Sequence, residues 1–243
     1  MKLRTSLLSD VGRVRQNNED ALGEERALNL LVLADGMGGY QAGEVASQLA
    51  VSTILDAQRK SRERTSDSLR RSIEQANLAI CQAARSNPEY SGMGTTVVAC
   101  MPDRRQFAVA WVGDSRLYRL RGEKLEQLTR DHSLLREMVD QGHYTFEQAQ
   151  KLVSKNIVTR ALGVEAAVKV DTLDTDAKPG DLLLLCSDGL TDMLDDGAIR
   201  SILLQADTDL DSIARALVEQ ANSRGGRDNI SVIVVRVEEL EAL

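Results

Sequence analysis

Two rhythms of apolar and polar positions alternate along this chain. Between Leu30 and Ala34 the apolar run is unbroken, and it then meets Asp35-Gly36-Met37-Gly38-Gly39. A run that short, bounded by turn residues, predicts a strand buried on both faces, with the aspartate where it reaches the surface. The construction recurs at 182–186 ahead of Ser187-Asp188-Gly189, and at 109–112 ahead of Gly113-Asp114-Ser115. Further strands are expected over 3–9, 20–25, 28–34 after a turn at Arg26-Ala27, 94–101, 106–112, 115–121, 124–128, near 168–173, and 230–237. Elsewhere the period lengthens to that of a helix. One helix is expected from Ala42 to about Lys60, marked by Val45, Leu49, Ser52, Thr53 and Leu55. A second, over about 67–85 and capped by Ser66 or Asp67, places Leu69, Ile73, Ala76 and Ile80 on one face. Two more are expected at about 195–205 and 209–223. Residues 131–165 are more polar and suggest two short helices, the second with Thr145 and Gln148 at capping-box spacing. This stretch interrupts a strand-rich region and is a candidate flap. The order of elements predicts an α+β domain in which helices cover stacked sheets.

Composition narrows the function classes. With 42% hydrophobic and 28% charged residues, the 243-residue chain has ample material for a core. Aromatic residues make up 3%, so the core is aliphatic and stacking platforms for single-stranded nucleic acid are not expected. The net charge is −7 and no basic block is long enough to follow a phosphate backbone, which argues against nucleic acid as a partner. Cys81, Cys100 and Cys186 are odd in number, share no close spacing and lie in apolar stretches, so they are expected as buried thiols in a reducing compartment. No window has the length of a membrane span and the N-terminus has no sustained apolar segment, so no membrane association and a cytoplasmic location are expected.

The candidate chemistry lies in carboxylates. Glu19, Asp35, Asp114, Asp188 and Asp228 sit in loops or at strand ends, with Asp20 and Asp192 close by, and none has a histidine or cysteine at metal-ligand spacing. An oxygen-only set favours Mg²⁺ or Mn²⁺ over zinc. Magnesium keeps most of its waters, so several carboxylates exceed what one ion uses; two ions about 3.5–4 Å apart would employ them, as in two-metal phosphoester hydrolysis. Arg15, four residues before Glu19, adds a planar fork that matches phosphate oxygens. Taken singly, each feature also reads as a glycine turn or a solvated loop arginine.

Taken in order, the motifs resemble those of bacterial type 2C metal-dependent protein phosphatases, the PPM family of serine/threonine phosphatases. They are Gly12-Arg13-Val14-Arg15-Gln16-Asn17-Asn18-Glu19-Asp20, Ala34-Asp35-Gly36-Met37-Gly38-Gly39, Gly94-Thr95-Thr96, Val112-Gly113-Asp114-Ser115-Arg116, Thr129-Arg130-Asp131-His132-Ser133, Arg160-Ala161-Leu162-Gly163, Ser187-Asp188-Gly189 and Gly226-Arg227-Asp228-Asn229. The resemblance implies a four-layer α-β-β-α sandwich, with two antiparallel sheets face to face between helices. It implies one domain over 1–243 with a flap insert at about 131–165. It implies a dinuclear site in which Asp35 bridges two ions, the Gly36 carbonyl binds one, Glu19 holds one with Asp20 behind it, and Asp188 and Asp228 hold the other. Arg15 would grip the substrate phosphate, and Asp114 with Asp188 would hold a weaker third ion. Where animal relatives often carry a histidine after Asp-Gly, this chain has Met37, which cannot donate a proton. Water on the third ion, held through Asp114, is the expected proton source for the leaving group. His132 is expected to be a structural loop residue and His143 a flap surface residue.

The resemblance thus implies hydrolysis of phosphoserine and phosphothreonine by a metal-activated water, on phosphorylated proteins that include a cognate kinase and its substrates, by a monomer. Two alternatives share the fold: a catalytically silent phosphoprotein-binding scaffold, and a hydrolase of small phosphoesters. A silent scaffold should lack metal carboxylates, and this chain lacks none of them.

Overall fold

The computed structural model describes residues 1–38, 42–153, 157–205 and 209–240. The chain opens with β1 (Lys2–Asp10), β2 (Asp20–Glu25) and β3 (Leu30–Met37), then forms α1 (Ala42–Lys60) and α2 (Ser66–Ser86). Strands β4 (Gly94–Thr95), β5 (Val97–Asp103), β6 (Gln106–Val112), β7 (Arg116–Arg121) and β8 (Lys124–Gln127) follow. The candidate flap segment, 131–165, contributes α3 (Leu134–Asp140) and α4 (Phe146–Leu152). The chain continues through β9 (Asp171–Asp176), β10 (Leu182–Cys186), α5 (Asp188–Thr191), α6 (Asp196–Leu203), α7 (Leu210–Ser223) and β11 (Ile230–Glu239).

Two antiparallel sheets result. One has the order β1-β11-β10-β7-β8, the other β2-β3-β5-β6-β9, with β4 pairing the far end of β3. The pleat explains the unbroken apolar runs, because successive side chains point to opposite faces. Leu31 and Leu33 of β3 enter the core between the sheets, with Val98, Trp111, Leu183, Ile233 and Val235. Leu30, Val32 and Ala34 point outward under α1 and α2. On the other side, Val232 and Val234 of β11 lie under α6 and α7, against Leu203, Ile213 and Leu217. Three apolar layers separate four structural ones, as the resemblance implied.

Several expectations need correction. The inner face of α1 is not the Val45, Leu49, Ser52, Thr53, Leu55 stripe but Ala42, Ala46, Ala50 and Ile54, with the larger residues at its margins. Small residues face inward because the helix lies close to the sheet: a Cβ on Gly23 would sit 2.4 Å from a Val51 methyl. Helix α2 is capped by Thr65, one residue earlier than expected, in a reciprocal box with Ser68. Strand β3 starts at Leu30 rather than 28 and runs on through Asp35 to Met37, because β4 pairs with Gly36 and Met37. The strand expected over 94–101 is two strands, β4 and β5, interrupted at Thr96. The strand expected near 168–173 is displaced to Asp171–Asp176, where its register with β6 fixes it. Cys81 is half-buried rather than buried, while Cys100 and Cys186 are in the core. Helix α5, which begins at Asp188, is not foreshadowed by the apolar run before it. Gly39 of the Asp35 motif and residues 154–156 of the flap lie outside the described residues. No helix among the described residues is long and apolar enough to cross a membrane.

Candidate metal centre

All the predicted acidic residues come to one end of the sandwich. Asp20 opens β2 and stands opposite Asp35 in the β2–β3 register. The ladder continues one step further, with Gly36 N–H donating to the Glu19 carbonyl at 3.1 Å. This spacing leaves no room for a side chain at Gly36: a Cβ there would lie 2.1 Å from the Gly43 carbonyl oxygen. Gly43, in the first turn of α1, likewise accommodates the Glu19 carboxylate, whose Oε1 would be 2.7 Å from an added Cβ. Close backbone approach, rather than a turn, is thus what Gly36 and Gly43 serve.

From the same sheet, Asp114 follows the end of β6. Its loop is tied to Asp35 through Thr96, whose N–H donates to the Asp35 carbonyl at 2.8 Å and whose hydroxyl meets Ser115 Oγ at 2.7 Å. Asp188 and Asp228 come from the other sheet, at the end of β10 and the start of β11. Gly189 packs on the Asn229 carbonyl so closely that a Cβ would lie at 2.0 Å. Arg15 reaches the group from the β1–β2 loop, with Nη2 donating to Asp228 Oδ2 at 2.7 Å.

Crowding controls the electrostatics. Asp35 and Asp188 are both held well above the usual carboxylate range, first by burial and then by their acidic neighbours, which include Asp20, Asp114 and Asp228. Asp20 and Asp114 are pushed up to about 6, again chiefly by burial. For Asp20 the Ser187 hydroxyl, donating to Oδ2 at 2.9 Å, acts in the opposite direction. Burial also raises Glu19, against the pull of Arg15. Such a set holds like charges together against their repulsion, and a divalent cation removes that penalty.

The residues fit hard divalent ions. Every available donor is oxygen. Asp20 Oδ1 is buried without a hydrogen-bond partner, an open valence that a cation or its water would satisfy. Among the described residues no three acidic, histidine or cysteine side chains close into a ready cage.

Sequence reasoning assigned no role to Asn229, which holds the carboxylates in place. Asn229 is buried; its Oδ1 accepts from Glu19 N–H at 2.8 Å, and its Nδ2 donates to the carbonyls of Val11 and Asn17 at 3.0 and 2.9 Å. One amide therefore fastens the β1–β2 loop to β11. Its signal was an asparagine directly before an apolar strand, quoted in the Gly226-Arg227-Asp228-Asn229 motif. His132 does comparable work beside Asp114. Gly113 N–H donates to its Nδ1 at 3.0 Å, and its own N–H returns a bond to the Gly113 carbonyl at 2.9 Å. An Nδ1 that accepts must be unprotonated, so the neutral ring carries its proton on Nε2, which faces Asp171 Oδ2 at 3.2 Å. Burial and Arg160 lower its pKa, consistent with that neutral form. His132 is structural, as expected, and His143 is exposed on the flap.

A cavity of about 750 Å³ opens beside Asp114 and Asp188. Arg130, just before the candidate flap, and the flap residues Arg136 and Phe146 line one wall, and Asp195 and Asp196 line the other. Leu162 joins the flap to the centre through paired backbone bonds with Thr95, at 2.8 and 3.1 Å.

Comparison with known proteins places this geometry. The family model described as Protein phosphatase 2C matches residues 12–231. The serine/threonine phosphatase stp of Listeria monocytogenes is 43% identical over 235 residues, covering 93% of each chain. The crystal structure of the Mycobacterium tuberculosis serine/threonine phosphatase PstP/Ppp superposes with a TM-score of 0.89 at 37% identity, covering 98% of this chain and 99% of that one. A second structure, the PstP catalytic domain in complex with two manganese ions, has a TM-score of 0.85 at 36% identity and covers 98% and 99% of the two chains.

Proposed function

The chain belongs to the protein phosphatase 2C family of bacterial metal-dependent serine/threonine protein phosphatases, and from that membership we propose a role for each residue of the centre. Asp35 and the Gly36 carbonyl, with Glu19, Asp188 and Asp228, hold two Mn²⁺ or Mg²⁺ ions, and Asp20 supports them from behind. Asp114 with Asp188 holds a weaker third ion. The observation that carries this reading is the convergence of acidic groups from both sheets around the unpartnered Asp20 Oδ1. Bound there, such ions supply an activated water as nucleophile and an acidic water for the departing oxygen.

The chain's own groups orient the substrate. Arg15 has five N–H donors, and the bond to Asp228 uses one of them, which leaves a fork for phosphate oxygens. Asn229 and His132 fix the loops from which the ligands project. Met37, half-buried at the end of β3, has no proton to give. Substrates are phosphoserine and phosphothreonine in proteins, among them a cognate kinase and its targets, and the enzyme acts in the cytoplasm as a single-domain monomer.

The test is turnover of a phosphothreonine peptide with and without metal. Activity should disappear in excess EDTA and return with Mn²⁺ or Mg²⁺. Full activity in EDTA, or rescue by zinc alone, would overturn the ion assignment. Binding without turnover would favour the scaffold reading, and turnover confined to small esters the third. Arg15→Ala should raise KM with kcat nearly unchanged if the grip is equal in ground and transition states. A loss confined to kcat would contradict that role.

A further inference from the structure

The loops that carry Arg15 and Asp228 have a charge pattern unlike that of the whole chain. Residues 11–17 and 223–229 contain four arginines (Arg13, Arg15, Arg224 and Arg227) against the single carboxylate of Asp228, in a chain of net charge −7. The two loops are joined, with Arg13 N–H donating to the Gly226 carbonyl at 2.7 Å. Arg15 is occupied by Asp228, and Arg224 donates to the Met193 carbonyl at 3.3 Å. Arg13 and Arg227 are exposed, and among the described residues neither guanidinium has a hydrogen bond or an ion pair. By contrast Arg59, Arg70, Arg71, Arg116, Arg119 and Arg121 all meet carboxylates.

The free pair lies against one glycine turn. The Arg13 stem covers Gly226, where an added Cβ would meet its Cγ at 2.9 Å, and Arg227 Cγ would be 3.7 Å from a Cβ on Gly225. Neither guanidinium is held by a carboxylate among the described residues. Their planar forks suit phosphoryl or carboxylate oxygens. Their place is the rim nearest Arg15, two residues from one of them, and Asp228, next to the other.

We propose that Arg13 and Arg227 form an accessory anion-binding rim that reads a second acidic group, phosphoryl or carboxylate, on the substrate chain beside the phosphoresidue. This rests on the phosphatase reading and adds a preference to it. Exposed charge pairs are individually weak and screened by salt, so the effect belongs in KM and fades at high ionic strength.

The experiment compares wild type with the double variant Arg13→Gln/Arg227→Gln on four substrates. These are p-nitrophenyl phosphate and phosphothreonine peptides with neutral flanks, with a nearby glutamate, or with a second phosphothreonine. Wild type should prefer one or both anionic peptides over the neutral one by about tenfold in kcat/KM, and the double variant should lose that preference. Activity on p-nitrophenyl phosphate and on the neutral peptide should stay within about twofold. The glutamate and second-phosphate arms separate a general carboxylate reader from a phosphoryl reader. Equal losses on all four substrates, or a preference that survives in the variant, would overturn the rim. Binding of the same peptides in EDTA, by fluorescence anisotropy, separates the two readings. Rim-dependent binding without turnover on added metal would leave the rim standing and remove the phosphatase reading. Turnover with charge-blind binding would remove the rim alone.

Discussion

The two sides of the carboxylate cluster are built differently. On the side of Glu19, Asp20 and Asp228, the carboxylates project from strand ends locked by buried short groups. Asn229 bonds three backbone groups at 2.8–3.0 Å, and Ser187 bridges Asp20 to β11 by accepting from Ser231 N–H at 3.0 Å. On the side of Asp114, the support comes from His132, from Arg160 and Asp171, and through them from the flap. There the helices have seven residues each, and Tyr144, Phe146, Leu152 and Ile157 expose 40–59% of their surface. A frame made of buried backbone bonds opens only when the domain opens, whereas short helices with few buried contacts can open alone. The first side is suited to fixing ions, and the second to meeting different substrates.

That contrast can be broken most forcefully at the ions. Asp35→Asn or Asp188→Asn should reduce turnover by about 10³-fold, since each removes charge from a bound cation, while the circular-dichroism spectrum stays that of wild type. Wild-type turnover with normal metal content in either variant would reassign the ligands. Next in size comes the frame. Asn229→Ala removes both amide functions at once and should cost about 10–100-fold in metal affinity, read by titrating Mn²⁺ against activity and by calorimetry. Unchanged affinity would show that the β1–β2 loop holds its place without the amide.

What could be read from the sequence on either side was local. The acidic groups after the apolar runs at Asp35, Asp114 and Asp188 announced themselves, although β3 runs on past Asp35 to Met37 because β4 pairs with it. The capping box of Thr145 and Gln148 was equally plain, since both partners lie within one turn. What stayed hidden depends on contacts remote in sequence. The inner face of α1 was misjudged because residue size suggested Leu49 and Leu55, whereas Gly23, on another strand, lets the helix settle on its alanines. Asn229 and His132 carried no periodic signal; their roles follow from partners 210 and 19 positions away.

At the boundary between the two sides stands Asp114. If Asp114 holds an ion whose water supplies the leaving-group proton, Asp114→Ala should depress kcat/KM for a phosphothreonine peptide about tenfold more than for p-nitrophenyl phosphate, whose leaving group needs little help. Equal losses at saturating Mn²⁺ would remove that role. A smaller effect concerns protons alone. In EDTA, Asp20 and Asp114 titrate at about 6 in the folded protein, above their ordinary value. Folded carboxyls that hold protons more tightly than unfolded ones stabilise the fold at low pH. That contribution is full below about 4 and is lost as pH rises through about 6. The Tm of the chelated protein, relative to an Asp20→Asn variant, should therefore fall by roughly 5 °C between pH 4.5 and 7, and Mn²⁺ should recover most of it. A difference that is flat or rises with pH would contradict the crowding.

The smallest expected effect bears most directly on whether the flap is an independent unit. Thr145 N–H donates to Gln148 Oε1 at 2.8 Å, and Thr145 Oγ1 accepts from Gln148 N–H at 3.3 Å, so one residue satisfies both ends of the first turn of α4. Thr145→Ala removes the hydroxyl half, a loss of about 1 kcal/mol of helix stability. If the flap opens by itself, that cost is confined to it. Amide exchange over 146–152 should then quicken about fivefold, while exchange in β3, β10 and β11 and the global Tm stay where they were. Turnover of p-nitrophenyl phosphate should not change, because Asp114 remains tied to Thr96 through Ser115. Quickened exchange in β3, β10 and β11 together with a fall in Tm would instead place α4 in the same cooperative unit as the frame. The two sides would then differ in their bonds but not in their freedom to move.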